Sequence, residues 1–356
     1  MFDILRHFRN FYSRNEINVD SISQREFGIG IDKKINYRHK SFSTQKEFQN
    51  FLVNEPPRFI SHSVGRFEFP WSQPMEKKTL LSADLIFDLD AKPEENHNYI
   101  FCTTCVEKAR LDTIRLIEDF LLKEFGLSKA DLLVVFSGSK GFHVHVRSPA
   151  VQQLSSTARR LMVDYITGKE VSLASLVPIP AKGIRHLTGP GKNSTGWKKH
   201  FFETAVKALD NDALFTKKKA AYIQENKQML INLLENGNWD PVFHDAKGVL
   251  EQILVETIQT SAVEVDSPVT FDVHRLIRVP GTLHGDTGLV ARPLSFTELA
   301  SFSATKNAAA FNGSAVVTLK ENGSVEFAGQ AFELKQGDNV VPLSLAVLLA
   351  CKGVTL

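Results

Sequence analysis

The chain has 356 residues, 43% hydrophobic and 23% charged, enough to bury one large core with room for a smaller insertion. A formal net charge of only +2 excludes an overall basic coat, so any nucleic-acid contact must come from local clusters. Three cysteines are too few for a disulfide framework, and no apolar run has signal-peptide or bilayer-spanning length, so the expectation is a cytoplasmic protein with no membrane contact.

In chain order, the alternation of Phe27, Ile29 and Ile31 predicts a strand, and residues 44–53 a short helix. Residues 80–90 read as a strand ending in acids. An apolar stripe of Leu111, Ile114, Ile117, Phe120 and Leu121 predicts a long helix over about 105–125, with Gly126 placed to end it. Residues 132–136 and 142–146 are short apolar strands joined by a Ser- and Gly-rich loop. Residues 155–260 read as mainly helical, with a basic loop at 182–200. Strand patterns return at 269–273 and 276–279, and residues 316–327 alternate around Asn322-Gly323, a hairpin-turn dipeptide. The pattern predicts an α/β (α+β) fold: a mixed-sheet core from residues 1–154 and 261–356, interrupted by a mainly helical insertion over 155–260.

Three blocks carry chemistry. Asp88 and Asp90 are two apart on a predicted strand, so their carboxylates share a face. Like charges so close repel unless a cation lies between them, and oxygen-only ligands suit Mg²⁺ or Mn²⁺ rather than zinc. The plainer reading of the same pair is a solvated strand end. Ser137-Gly138-Ser139-Lys140-Gly141 can turn backbone N–H groups and one cation towards an anion, with His143 and His145 cofacial on the strand that follows. The plainer reading is a hairpin turn with two structural histidines. Residues 265–289 contain Asp266, Asp272, Arg275, Arg278 and His284, a set able to meet both metal and polyphosphate; Arg278 closes an apolar strand and can bind phosphate bidentately. Asp266 also reads as a turn residue ahead of Pro268, and Asp272 is its rival for any role.

Taken together and in order, these blocks resemble the catalytic small subunit of archaeal and eukaryotic DNA primases, the archaeal kind more closely. Arg25-Glu26-Phe27, Tyr37-Arg38 and the segment from Val341 to Gly353 extend the resemblance over nearly the whole chain. It implies Asp88, Asp90 and Asp266 as ligands of two divalent cations, Mg²⁺ or Mn²⁺. Ser137, Lys140, His143, Arg278 and His284 match contacts to an incoming triphosphate, and Glu26 and Arg38 match residues of the active-site cleft. The implied activity is template-directed synthesis of short primers on single-stranded DNA from NTPs or dNTPs, in a nucleoid-associated complex with a primase large subunit. The chain has too few cysteines for an iron–sulfur cluster of its own. His97, Cys102 and Cys105, within 94–106, look like the family's zinc knuckle, although no fourth Cys or His lies upstream of His97. Two cysteines at a helix start are the alternative. Lys182, Arg185, Lys192, Lys198 and Lys199 around Trp197 suit single-stranded nucleic acid, and suit a surface loop as well. Competing functions are a related primase-polymerase of repair or plasmid replication, and a non-catalytic nucleic-acid-binding scaffold subunit.

Overall fold

The short apolar runs beside the acidic and glycine-rich motifs become strands of two antiparallel sheets. The structure is a computed structural model that describes residues 2–91, 98–177 and 186–356. It divides into two units. One comprises residues 1–117, 127–160 and 265–356, the other 118–126 and 161–264.

In the first unit, ten strands follow one another: β1 (Phe27–Gly30), β2 (Tyr37–Lys40), β3 (Phe59–Ser63), β4 (Gly65–Phe67), β5 (Leu80–Ala83), β6 (Leu85–Asp90), β7 (Leu132–Phe136), β8 (Gly141–Val146), β9 (Leu276–Arg278) and β10 (Pro293–Leu294). One four-stranded sheet has the order β2-β1-β3-β9, the other β10-β7-β8-β6, and all pairings are antiparallel. Phe27, Phe42 and Phe48 meet with ring centroids 4.9–5.1 Å apart and bury the first sheet against helices Ile4–Tyr12 and Gln45–Asn54. The closing helix, Leu343–Cys351, is buried along nearly its whole length, which suits its uniformly apolar sequence.

The strand read over 80–90 divides at Asp84. Its first half pairs with β4 and its second with β8, the middle of the other sheet. Asp84 is fully buried and accepts from Arg25 at 2.9 Å and Arg66 at 2.8 Å. Arg25 also donates to the carbonyls of Ser63 and Val64, and Arg159 to those of Ala83 and Asp84. A buried carboxylate survives where cations and further hydrogen bonds surround it. The chain switches sheets at this junction.

Residues 269–273 are not a strand: Ser267–Phe271 form one helical turn, with Pro268 in the first turn, where its missing N–H costs nothing. The predicted hairpin is also displaced. Four further strands, β11 (Ser314–Leu319), β12 (Gly323–Phe327), β13 (Gln330–Leu334) and β14 (Gly337–Pro342), form two nested hairpins, β11 with β14 and β12 with β13. The tight turn is Ala328-Gly329, both at positive φ, as a two-residue hairpin loop requires. Asn322 instead accepts from the Gln336 N–H. The helix expected over 105–125 begins at Thr103 and becomes π-helical over Leu116–Glu124.

The second unit is helical, with Gly196–Ala208, Lys217–Glu235 and Lys247–Ser261 as its longest members. Trp239 is fully buried, stacked on Phe201 at 5.5 Å and donating to the Pro190 carbonyl. Trp197, read above as a stacking platform, is buried too: its indole N–H donates to the Tyr165 carbonyl at 2.8 Å. It cannot offer a face to a base. Lys182 and Arg185 of that basic loop lie outside the described residues. Among the described residues no helix is long and apolar enough to cross a membrane.

Candidate active site

Antiparallel register builds the first wall of a cleft. On β6 and β8, Asp88 stands opposite His143 and Asp90 opposite Gly141. Asp88 and Asp90 therefore project from one face, as the two-residue spacing requires. Asp266 arrives from far along the chain; its backbone N–H donates to the Asp88 carbonyl at 2.8 Å. The Asp266 carboxylate caps no helix, although it occupies an N-cap position. All three acids line one cleft enclosing about 550 Å³, within the usual range for small-ligand sites.

Burial, then the charges of Asp90 and Asp266, raise the Asp88 pKa to about 7. One Asp88 oxygen is fully buried and, among the described residues, accepts no hydrogen bond. His143 Nε2 lies 3.6 Å from it, beyond hydrogen-bonding range. Burial and the nearby Arg278 lower the His143 pKa to about 3, so this imidazole is neutral. It can donate or accept, but carries no charge to compensate Asp88.

The loop between β7 and β8 is held by Ser137, whose hydroxyl accepts from the Ser139 and Gly141 N–H groups at 3.4 and 3.2 Å. Gly138 adopts φ +83°, and a Cβ there would lie 2.8 Å from that of His284, so only glycine lets the two loops approach this closely. Thr287 seals the contact by donating to the Gly138 carbonyl at 2.5 Å. Lys140, half exposed, sits 3.2 Å from Asp90. A Cβ on Gly141 would run into the Leu89 carbonyl and the Asp90 carboxylate. We therefore expect Gly141→Ala to displace Asp90 and lower kcat about 10²-fold, the cost of misplacing a reacting group by an ångström, as steady-state kinetics would show.

The opposite wall comes from the other sheet. Arg278, on β9 opposite Ser61, is half-buried, with one guanidinium nitrogen buried and unpartnered among the described residues. Burial lowers its pKa to about 10, so it remains a cation at neutral pH. Its guanidinium lies 5.6 Å from the Phe59 ring. The Asp286 N–H donates to His284 Nδ1 at 3.1 Å, which leaves the His284 proton on Nε2. Burial and Arg278 hold that imidazole neutral. Tyr12 Oη accepts from the Leu283 N–H, tying this loop to the aromatic core.

The cleft thus gathers Asp88, Asp90, Asp266, Ser137, Lys140, His143, Arg278, His284 and Arg38. Glu26 is not among them. It is fully buried, accepting from Arg38 Nε at 2.9 Å and lying 3.6 Å from the equally buried Lys78. It holds Arg38 rather than facing a ligand. Lys34, Asp286 and His274 line the cleft without having been singled out from the sequence, and so does Asp272, read there as a rival to Asp266. The charge of Lys34, on the β1–β2 turn, is felt at both Asp88 and His284. No short motif marks these residues; only the folding of the turn brings them in. His145 lies behind His143 with both ring nitrogens buried and unpartnered among the described residues.

Among the described residues, no three His, Cys, Asp or Glu side chains already form a metal shell. The donor chemistry nevertheless suits a hard divalent cation: oxygen ligands only, one of them buried and uncompensated. Zinc fares differently. Cys102 and Cys105 stand side by side at the start of a helix, their Cα atoms 5.4 Å apart, and His97 lies outside the described residues.

Carboxylates on one wall and a guanidinium on the other are a donor set whose chemistry suits phosphates and their cations. A family model described as DNA primase small subunit matches residues 87–296. A protein named DNA primase small subunit PriS from Methanothrix thermoacetophila is 32% identical, covering 97% of this chain and 96% of that one. One of the same name from Methanosarcina mazei is 31% identical over 98% and 94%. The chain belongs to the DNA primase small subunit family and is an enzyme of that class. Among solved structures, the polymerase domain of ligase D from Mycobacterium tuberculosis, in complex with DNA, aligns with a TM-score of 0.40 at 14% identity, over 83% of this chain and 82% of that one. That likeness is too distant to argue from.

Proposed function

We propose that the cleft binds an incoming nucleoside triphosphate and transfers its nucleotidyl group to a primer 3′-hydroxyl on a single-stranded DNA template. One observation carries this reading: a buried carboxylate oxygen and a buried guanidinium nitrogen, each without a partner among the described residues, line the same cleft. A polyphosphate with its divalent cations satisfies both. Asp88, Asp90 and Asp266 would hold Mg²⁺ or Mn²⁺, which supplies charge neutralisation and activation of the attacking hydroxyl when bound.

The chain's own residues orient the phosphates. Arg278 presents a fork of N–H donors from a fixed strand, and its cation–π contact with Phe59 restricts its rotamer. His284 donates from Nε2. The backbone around Ser137 and the Lys140 ammonium face the same space. Donors placed before the reaction need no reorganisation as charge builds on the leaving pyrophosphate. As the 3′-hydroxyl gives up its proton to solvent and its oxygen bonds to the α-phosphorus, the bond from that phosphorus to the bridging β-phosphate oxygen breaks, and the charge released stays on pyrophosphate beside Arg278 and Lys140.

The family's naming as a small subunit supports a large subunit as partner for initiation. Zinc belongs to this reading only for the reduced Cys102–Cys105 pair with His97, and metal analysis of protein purified under reducing conditions tests it. The decisive assay for the cleft is incorporation of labelled NTPs and dNTPs on single-stranded DNA, with and without a pre-made primer. With the large subunit present, cation-dependent synthesis without a primer is expected. Extension of a pre-made primer alone would favour a repair-type polymerase, and no incorporation at all a scaffold.

A further inference from the structure

The β1–β2 hairpin at the cleft's rim exposes large apolar side chains: Ile31 is 51% exposed, Ile35 40% and Tyr37 60%. Ile35 lines the cleft, whereas Ile31 and Tyr37 line a neighbouring groove of about 650 Å³. Arg38 lines both, so groove and cleft adjoin at this residue. Arg9, Arg38 and Lys40 border the groove against a single acid, Glu55. The Lys40 ammonium lies 5.4 Å from the Phe51 ring and 5.5 Å from that of Phe42.

The hairpin is built to hold its shape. Asn36 accepts from the Ile31 N–H at 2.8 Å and donates its own N–H to the Ile29 carbonyl at 2.7 Å. Tyr37 faces Ile29 across the strand pair. A rigid, exposed aromatic ring among cations is the pattern that binds single-stranded nucleic acid without regard to sequence, by stacking bases and attracting phosphates. An apolar patch alone would suit a protein partner equally. Arg9 and Lys40 outnumber the single acid Glu55, Arg38 being paired with Glu26, and this cationic excess beside the cleft points to nucleic acid.

We propose that the single-stranded DNA template leaves the cleft along this groove, with a base stacked on Tyr37 and the backbone passing Lys40 and Arg9. This rests on the cleft being the nucleotide site. The test is binding of fluorescein-labelled oligo(dT) to the full chain by anisotropy, without nucleotide, alongside Mn²⁺–ATP binding by equilibrium dialysis. Tyr37→Ala and Lys40→Glu are expected to weaken oligo(dT) binding about ten-fold, a typical loss for one stacked base, with Tyr37→Phe like the parent and ATP binding unchanged throughout. Unchanged oligo(dT) affinity in Tyr37→Ala and Lys40→Glu overturns the proposal. So does a loss confined to large-subunit binding, which would assign the patch to that protein. Arg278→Ala keeps the two readings apart: if it retains ATP binding, the cleft assignment fails; if it loses ATP binding while Tyr37→Ala keeps oligo(dT) affinity, only the groove assignment does.

Discussion

Asp88→Ala and Asp90→Ala are each expected to cut nucleotide incorporation by about 10³-fold or more, because each removes a ligand of the cation that offsets the developing charge. Thermal unfolding of the same proteins separates this effect from misfolding. Burial, Asp90 and Asp266 raise the Asp88 pKa to about 7 in the folded chain, against about 3.9 for an unperturbed aspartate. The folded state therefore binds the extra proton between those values. Without divalent cations, the stability of the parent relative to Asp88→Asn should fall as pH rises from about 4 to about 7 and level off above, the buried histidines contributing alike to both proteins. Asp88→Asn should therefore melt a few degrees higher than the parent at pH 8. Mn²⁺ should raise the melting temperature of the parent and not of Asp88→Asn. A pH-independent difference between parent and Asp88→Asn, or equal Mn²⁺ stabilisation of both proteins, would sink the assignment of Asp88 as a cation ligand.

The largest loss of stability is expected at a residue remote from the chemistry. Asp84→Ala leaves Arg25 and Arg66 without their buried counter-charge, and breaking such a pair costs about 3–5 kcal/mol. Urea titration should show this as a lower midpoint with an unchanged slope. Burial alone would raise the Asp84 pKa, but Arg25 and Arg66 outweigh it and hold the pKa below the usual carboxylate value. Its stabilisation is therefore complete above about pH 4 and lost only as pH falls through the depressed folded value. Below about pH 4 the stability of Asp84→Ala should therefore fall less steeply with falling pH than that of the parent. Because Asp84 immediately precedes β6, the same variant should also weaken incorporation, through displacement of Asp88 and Asp90 further along the strand.

Local chemistry was legible wherever a short motif carried it. The spacing of Asp88 and Asp90 is sufficient to place both carboxylates on one strand face, and Gly138 and Gly141 mark a loop with no space for a Cβ. Errors arose where a local preference yielded to packing. Val269 and Thr270 favour strands by type, yet Pro268 and the space beside Asp88 make their segment a helical turn. Asn322-Gly323 is a strong turn signal, but β11 finds its partner in β14, and the tight turn moves to Ala328-Gly329. Trp197 looks like a stacking surface beside lysines until its indole N–H is seen bonded inside the helical unit. Glu26 carries the right residue type for a cleft and is buried behind it, because Arg38 and Lys78 need its charge.

The amino-acid order by itself determined the class of chemistry, through the identity and spacing of side chains within each block, and with it the resemblance to primase small subunits. It also located the short apolar strands beside the motifs, at residues 132–136 and 142–146, since runs of that length and type are a property of the chain alone. Only the tertiary structure decided which blocks meet: that Asp266 hydrogen-bonds through its backbone to Asp88, that Arg278 faces the acids across the cleft, and that Lys34 joins them from a turn. Those meetings depend on long-range strand pairing, whose register is set by burial across whole sheets rather than by neighbours in sequence.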